Sequence, residues 1–245
     1  MSTYTKSTLL STNNNKTVKG EKLGYITYIM YLSPFTDNSK GINLCPHASK
    51  GCSAACLFSS GFGGMYKRVA DGRRNKTEWY LTNRNEFMLA LDSEIKAAIK
   101  RNKGKAIPVF RLNGTSDIPF EKIIVKDGKN IFELNEGVQF YDYTKNPVRM
   151  LKKLPINYHL TFSRSEENDK AVIGVLKSGG NVAMVFQGKQ PNMYMGYKVV
   201  SGDETDLRFL DDKNVILGLK YKNNTGKGAE TANKFAVSSG FAISV

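Results

Sequence analysis

All three cysteines of the chain, Cys45, Cys52 and Cys56, fall in one stretch, Asn43-Leu-Cys-Pro-His-Ala-Ser-Lys-Gly-Cys-Ser-Ala-Ala-Cys-Leu57. The pattern is C-x6-C-x3-C, and the stretch also holds His47, one of only two histidines. Thiols scattered for packing would not gather this way. Soft sulfur ligands suit zinc, copper(I) or an iron–sulfur cluster. A structural zinc takes four protein ligands, so His47 would complete a Cys3His set or orient it. Three thiolates on a 4Fe–4S cluster would leave one iron open.

A second set of candidates sits after predicted strands. The run 106–112 leads into Asn113-Gly-Thr-Ser-Asp117, and 138–143 leads into Thr144-Lys-Asn146 with Asp142 inside it. The run 158–162 leads into Ser163-Arg-Ser-Glu-Glu-Asn168, 181–186 into Gln187-Gly-Lys189, and Val199-Val200 into Ser201-Gly-Asp203. In parallel α/β folds, ligands bind outside the carboxyl ends of strands. Arg111, Asp117, Asp142, Lys145 and Glu166 are therefore candidate catalytic groups. Asn113, Ser116, Ser163, Arg164 and Asp203 are candidate cofactor-binding groups. Each alone would also serve as a turn or helix-cap residue. Arg111 and Asp142 stand out, because packing alone does not put an Arg or Asp inside a buried strand.

The elements that must position these groups can be read from periodicity. Strands are expected at 25–32, 106–112, 138–143, 158–162, 181–186, around 199–200 and at 215–219, from their β-branched and aromatic content. Helices are expected from about 66 to 84 and over 85–100, where Phe87, Leu89, Leu91, Ile95 and Ile99 form one apolar face. Shorter helical segments are expected at 147–154 and 166–178, with a turn near 203–210. Strands alternating with helices indicate βαβ units over 106–220 and an α/β fold resembling a complete or partial β/α barrel. The 245 residues are expected to form a single domain. Residues 1–20 read as a loosely ordered arm, 43–57 as a metal-binding loop, Gly61-Phe-Gly-Gly64 as a joint, and 221–228 as a polar loop. The end, 235–245, reads as one or two closing strands.

The formal net charge of +14 favours an anionic partner, a nucleotide or nucleic acid. Lys67, Arg68, Arg73, Arg74 and Lys76 form the densest positive cluster, and Tyr66, Trp79 or Tyr80 beside it could stack on a base. No apolar run reaches the ~20 residues of a membrane helix, and the start lacks the apolar core of a signal peptide. The expectation is a soluble intracellular protein without a membrane partner.

Several segments together resemble a known family. Leu32-Ser-Pro, Asn38-Ser-Lys-Gly-Ile-Asn-Leu-Cys-Pro, Ser49-Lys-Gly-Cys, Ala55-Cys-Leu, Arg111-Leu-Asn-Gly-Thr-Ser-Asp-Ile-Pro119, Phe140-Tyr-Asp-Tyr-Thr-Lys145, Tyr158-His-Leu-Thr-Phe-Ser-Arg-Ser165 and Gly202-Asp-Glu-Thr-Asp-Leu-Arg-Phe209 are similar to the phage gene 88 protein family. The likeness runs from about 30 to 220 and implies a bacteriophage protein made in the host cytoplasm. Thr144-Lys-Asn-Pro147 and Ser163-Arg-Ser-Glu-Glu-Asn168 also resemble radical S-adenosylmethionine proteins, whose usual cysteine loop is C-x3-C-x2-C. That likeness implies a 4Fe–4S cluster with S-adenosylmethionine and an enzyme acting on a nucleotide or nucleic acid. Two alternatives stay open. One is a base-exchange or hydrolytic nucleic-acid enzyme with a structural zinc, using Asp117 or Asp142. The other is a nucleic-acid-binding protein with a zinc-tied loop and no catalysis.

Overall fold

The computed structural model describes residues 8–12, 18–56, 66–224 and 228–245. The expected joint at 61–64, parts of the arm (1–7 and 13–17), Leu57 and residues 225–227 lie outside the described residues. In chain order the elements are β1 (Leu10–Ser11), α1 (Val18–Glu21), β2 (Tyr25–Met30), α2 (Lys50–Ala54), α3 (Lys67–Thr82), α4 (Arg84–Asn102) and β3 (Ile107–Arg111). Then come β4 (Ile124–Lys126), β5 (Lys129–Asn130), β6 (Gln139–Thr144), α5 (Pro147–Met150), β7 (Tyr158–Ser163), α6 (Asp169–Lys177) and β8 (Val182–Gln187). The last are β9 (Met193–Tyr194), β10 (Tyr197–Ser201), β11 (Ile216–Lys220), α7 (Ala229–Ser238) and β12 (Ala242–Ser244). The fold is mixed α/β on a large, mostly parallel sheet. Two compact units are present. One comprises Met1–Pro46, Ala70–Asp142 and Lys153–His159; the other comprises His47–Val69, Tyr143–Lys152 and Leu160–Val245.

In the first unit β1 pairs antiparallel with β2, β2 runs parallel to β3, and β3 parallel to β6. These strands are rich in aromatic and β-branched side chains, and Ile29, Val109, Phe110, Phe140 and Tyr141 are fully buried. Burying each such side chain is worth about 1.5–3 kcal/mol. Helix α4 contributes Phe87, Met88, Leu91, Ile95 and Ala98 to the core. Leu89, which the apolar face had included, points outward and is 47% exposed. Trp79 and Tyr80 are buried edge-on to Phe87, at 5.2 and 5.4 Å between ring centroids, so they pack the core rather than offer a stacking surface. The described part of the expected loose arm is fixed. Leu9 and Leu10 are buried, and their backbone N–H groups donate to the Glu94 carboxylate.

In the second unit the order is β7, β8, β11, β10, β9; only β9 is antiparallel to its neighbour. Strand β7 flanks β8 only at Val182 and Ala183, and β12 takes over from Val185 to Gln187. Phe162, Val172, Leu176, Val182, Met184, Phe186 and Ile216 form the fully buried core here. In neither unit do the first and last strands of the order pair. Of the α/β fold with a complete or partial barrel that was expected, the α/β class with a mostly parallel sheet is present, and no closed barrel is formed among the described residues. The tail also differs. Residues 229–238 form α7, and only 242–244 make a strand. Phe235-Ala-Val has strand-like content, but Ala232 and Ala236 lie one turn apart and continue the helix that follows Gly228.

A buried ion pair in this unit gives a pH dependence. Arg208 is 1% exposed, and its Nη1 lies 3.3 Å from Asp211 Oδ2. Burial pushes the Asp211 carboxyl up to about 6, Arg208 opposes this, and Asp206 and Asp212 add to the rise. The raised value means that the folded state binds this proton more tightly than the unfolded chain does. Stability therefore falls as pH rises from about 4 to about 6, by on the order of 2–3 kcal/mol. Urea melts between pH 4 and 7 should show this slope in the native chain and lose it in Asp211→Asn.

Candidate functional site

The cysteine stretch is held against strand ends, and the two units do this with different parts of it. In the first unit, Cys45 lies against the loop that follows β3. Its thiol donates to the Thr115 carbonyl at 3.6 Å, and the Asp117 N–H donates to the Leu44 carbonyl at 2.9 Å. The turn itself is built by Asn113, whose Oδ1 accepts from the Ser116 hydroxyl (2.9 Å) and the Ile118 N–H (2.8 Å). Asp142 supports it from below. Its carboxylate accepts from the Asn113 N–H (2.8 Å), the Asn113 side-chain amide (3.3 Å) and the Tyr158 hydroxyl (3.1 Å). Asp142 is 0% exposed, and Asn113 and Ser116 are buried. These three were expected to touch substrate or cofactor. Their hydrogen bonding makes them the frame of the 113–118 turn. Arg111, at the last position of β3, and Asp117 are half-buried.

In the second unit, Glu166 follows β7 and grips the turn that carries Cys52. Its Oε2 accepts from the Ser49 hydroxyl at 2.7 Å and its Oε1 from the Gly51 N–H at 2.6 Å. The Ser49 hydroxyl oxygen also accepts from the Cys52 N–H at 3.1 Å, which makes it the N-cap of α2. Gly51 is needed for closeness. A Cβ there would lie 2.7 Å from the Glu166 oxygen, Ser239 Oγ and Phe241 Cβ. The far end of α2 is tied by Asn224, whose amide donates to the Ala54 carbonyl at 2.5 Å. Cys52 packs beside Ala55, Ala236 and Phe241.

Lys145 and Ser163 stand next to this clamp. The Lys145 ammonium donates to Ser163 Oγ (2.7 Å) and the Arg164 carbonyl (3.2 Å), and it lies 5.5 Å over the Phe241 ring. Arg164 bonds Asp169 at 2.8 Å and donates to the Gly240 carbonyl, bridging the end of β7 to the start of β12. Four residues expected at a site, Lys145, Ser163, Arg164 and Glu166, thus come together with Cys52. Asp203 does not join them in these contacts. Its carboxylate accepts from the Lys220 N–H at 2.9 Å, beside β10 and β11. At the carboxyl ends of β8 and β11 an open cavity of ≈ 480 Å³ is lined by Gln187, Tyr221, Asn223, Asn233, Lys234, Val237 and Ser238.

The basic cluster at 67–76 is partly absorbed by the fold. Arg74 pairs with Asp37 at 2.9 Å, Arg73 lies over the Tyr31 ring at 4.7 Å, and Lys76 donates to the Leu9 carbonyl at 3.1 Å. Burial lowers the Lys76 pKa. Lys67 and Arg68 are exposed.

Two buried cations were missed from sequence. Arg149 and Arg208 are 2% and 1% exposed. A signal existed, since each follows a predicted strand by a few residues. Arginine is mostly an exposed residue, so residue type by itself points away from burial.

Three thiols and the His47 imidazole are the donor types that zinc or a cluster takes. Each cysteine is half-buried, and His47 is exposed. Among the described residues, no three His, Cys, Asp or Glu side chains gather to hold a metal ion. The donors therefore fit in kind but not as a preformed cage, and no chemical step is routed through a metal.

The family model described as Gene product 88 matches residues 7–243. The chain belongs to this bacteriophage family. The match covers both units and the whole cysteine stretch. No curated protein matches the chain, and no solved structure does. No helix among the described residues is long and apolar enough to cross a membrane.

Proposed function

We propose that this Gene product 88 chain is a phage enzyme of the host cytoplasm that acts on a nucleotide or nucleic acid at the carboxyl end of β7. One observation carries the reading. Lys145, Ser163 and the Glu166-clamped Cys52 turn meet there, at the edge where open parallel sheets take ligands. The net charge of +14 supports an anionic substrate. In this reading Lys145 and the Ser163 hydroxyl contact a phosphate oxygen, Arg164 keeps the strand end in place, and the Cys52 turn closes over it. The test is titration of the purified chain with nucleoside phosphates and a short oligonucleotide. Lys145→Met should weaken binding at least tenfold, as loss of a charge-assisted bond of about 1.5–3 kcal/mol implies. Unchanged binding would sink the assignment.

A second reading is favoured by the cysteine pattern together with the effort spent on holding Cys52. Here Cys45, Cys52 and Cys56, with His47, bind zinc or a 4Fe–4S cluster, the latter working with S-adenosylmethionine. The group would supply Lewis-acid or radical chemistry, and Glu166 and Ser49 would orient the Cys52 turn. Metal and sulfide content with an absorption spectrum, taken on protein purified without oxygen, decides it. About one zinc or about four iron per chain supports the reading. Metal-free protein overturns it.

A further inference from the structure

We propose that the amino-terminal ends of β2 and β3, in the first unit, form a separate surface that grips the phosphate backbone of a nucleic acid. This rests on the nucleic-acid reading above but uses none of its residues. Segments 18–24 and 99–107 carry Lys19, Lys22, Lys100, Arg101, Lys103 and Lys105 against one acid, Glu21. All six cations are exposed.

Backbone geometry puts the two segments side by side. The Ile107 N–H donates to the Gly24 carbonyl at 2.8 Å, and Tyr25 pairs in register with Ile107. The turn that ends at Gly24 and the turn that ends before Ile107 therefore meet at these two residues. The turn between α4 and β3 is fixed from inside. Buried Asn102 donates from its side chain to the Tyr28 hydroxyl (2.8 Å) and the Ala98 carbonyl (2.7 Å). Its carbonyl accepts from the Lys105 N–H (2.9 Å) and the Ala106 N–H (3.3 Å), and Gly104 takes the left-handed φ of 75° that the turn needs.

The helix C-terminus accounts for Lys100 and Arg101, since cations are favoured there. Lys103, the C-cap of α4, shares that preference; Lys105 lies beyond the cap, and Lys22 follows the end of α1. Like charges gathered at this spot repel one another, and a polyanion relieves that repulsion. Leu23 and Ile107, 54% and 55% exposed, lie among them and can pack on sugar faces. A fixed turn presenting lysines reads charge and not sequence, so binding should be insensitive to base identity.

The experiment is fluorescence anisotropy with a labelled oligonucleotide, single-stranded and duplex, between about 50 and about 200 mM salt. The variant carries Lys22→Gln, Lys100→Gln, Lys103→Gln and Lys105→Gln. All four positions are exposed, and an unchanged circular dichroism melt confirms the fold. Affinity at low salt should fall at least tenfold, and the slope of log K against log salt should shrink by about 3–4. The fourfold variant should keep the nucleoside-phosphate affinity of the native chain, which separates the surface from the β7 site. Wild-type affinity and slope in the fourfold variant would overturn the proposal. So would a native chain that binds neither oligonucleotide, or one that binds vesicles rich in phosphatidylglycerol in preference to both.

Discussion

Asp142→Ala is expected to lower the folding stability by about 3–5 kcal/mol. The carboxylate is 0% exposed and accepts from the Asn113 N–H, the Asn113 amide and the Tyr158 hydroxyl. Removing it takes the acceptor from the buried Asn113 N–H and one bond each from the Asn113 amide and the Tyr158 hydroxyl, and a buried donor left unsatisfied costs about 1–3 kcal/mol. It also opens a void beneath the 113–118 turn, on which the Thr115 carbonyl and the Asp117 N–H meet Cys45 and Leu44. Since a domain keeps only about 5–15 kcal/mol in total, the variant should be close to unfolding at 37 °C. Asp142→Asn retains one acceptor oxygen and should cost less. Denaturant melts of the two variants check this. A loss below 1 kcal/mol for Asp142→Ala would show that Asp142 does not hold the turn.

Glu166→Ala should release the Cys52 turn while the rest of the second unit stays folded. Two carboxylate hydrogen bonds, to Ser49 and Gly51, hold the start of α2. Bonds to a charged acceptor contribute about 1.5–3 kcal/mol each, so local opening should become easier by about 3 kcal/mol. Alkylation of Cys52 through that opening should accelerate by on the order of 100-fold. Cys45, which bonds Thr115 in the first unit, serves as the internal reference and should change little. Time-resolved iodoacetamide labelling with peptide mass spectrometry reads both thiols at once. Equal rates in wild type and variant would mean that the turn is held by other contacts. Nucleotide binding should fall in the same variant if the turn closes the β7 site.

Much of the secondary structure was legible in the chain because it depends on local rules. Residues such as Tyr25–Met30 and Val182–Gln187 have the β-branched and aromatic content of buried strands, and α4 has an apolar face at helical spacing. Local rules failed where neighbours decide. The tail was misread because Phe-Ala-Val suits a strand as well as a helix face. Leu89 was taken for Met88 because the stripe is wide and only packing fixes its edge.

The sequence by itself determined that every thiol lies in one segment, Cys45 to Cys56, which makes that segment the candidate site. It also determined that polar groups collect after parallel strands. Only the tertiary structure decided how those groups divide their work. Asp142 and Glu166 look alike in a sequence, as acids at or after strands. One is sealed beneath a turn in the first unit, and the other clamps the cysteine turn in the second. The structure alone also joined the turn that carries Lys22 to the start of β3 after Lys105, through the Ile107 N–H and the Gly24 carbonyl, and sank Arg149 and Arg208 into the interior. The physical reason is common to all of these. Residue type and spacing set what a side chain can do, but its partners come from segments tens of residues away, and only folding brings them within hydrogen-bonding distance.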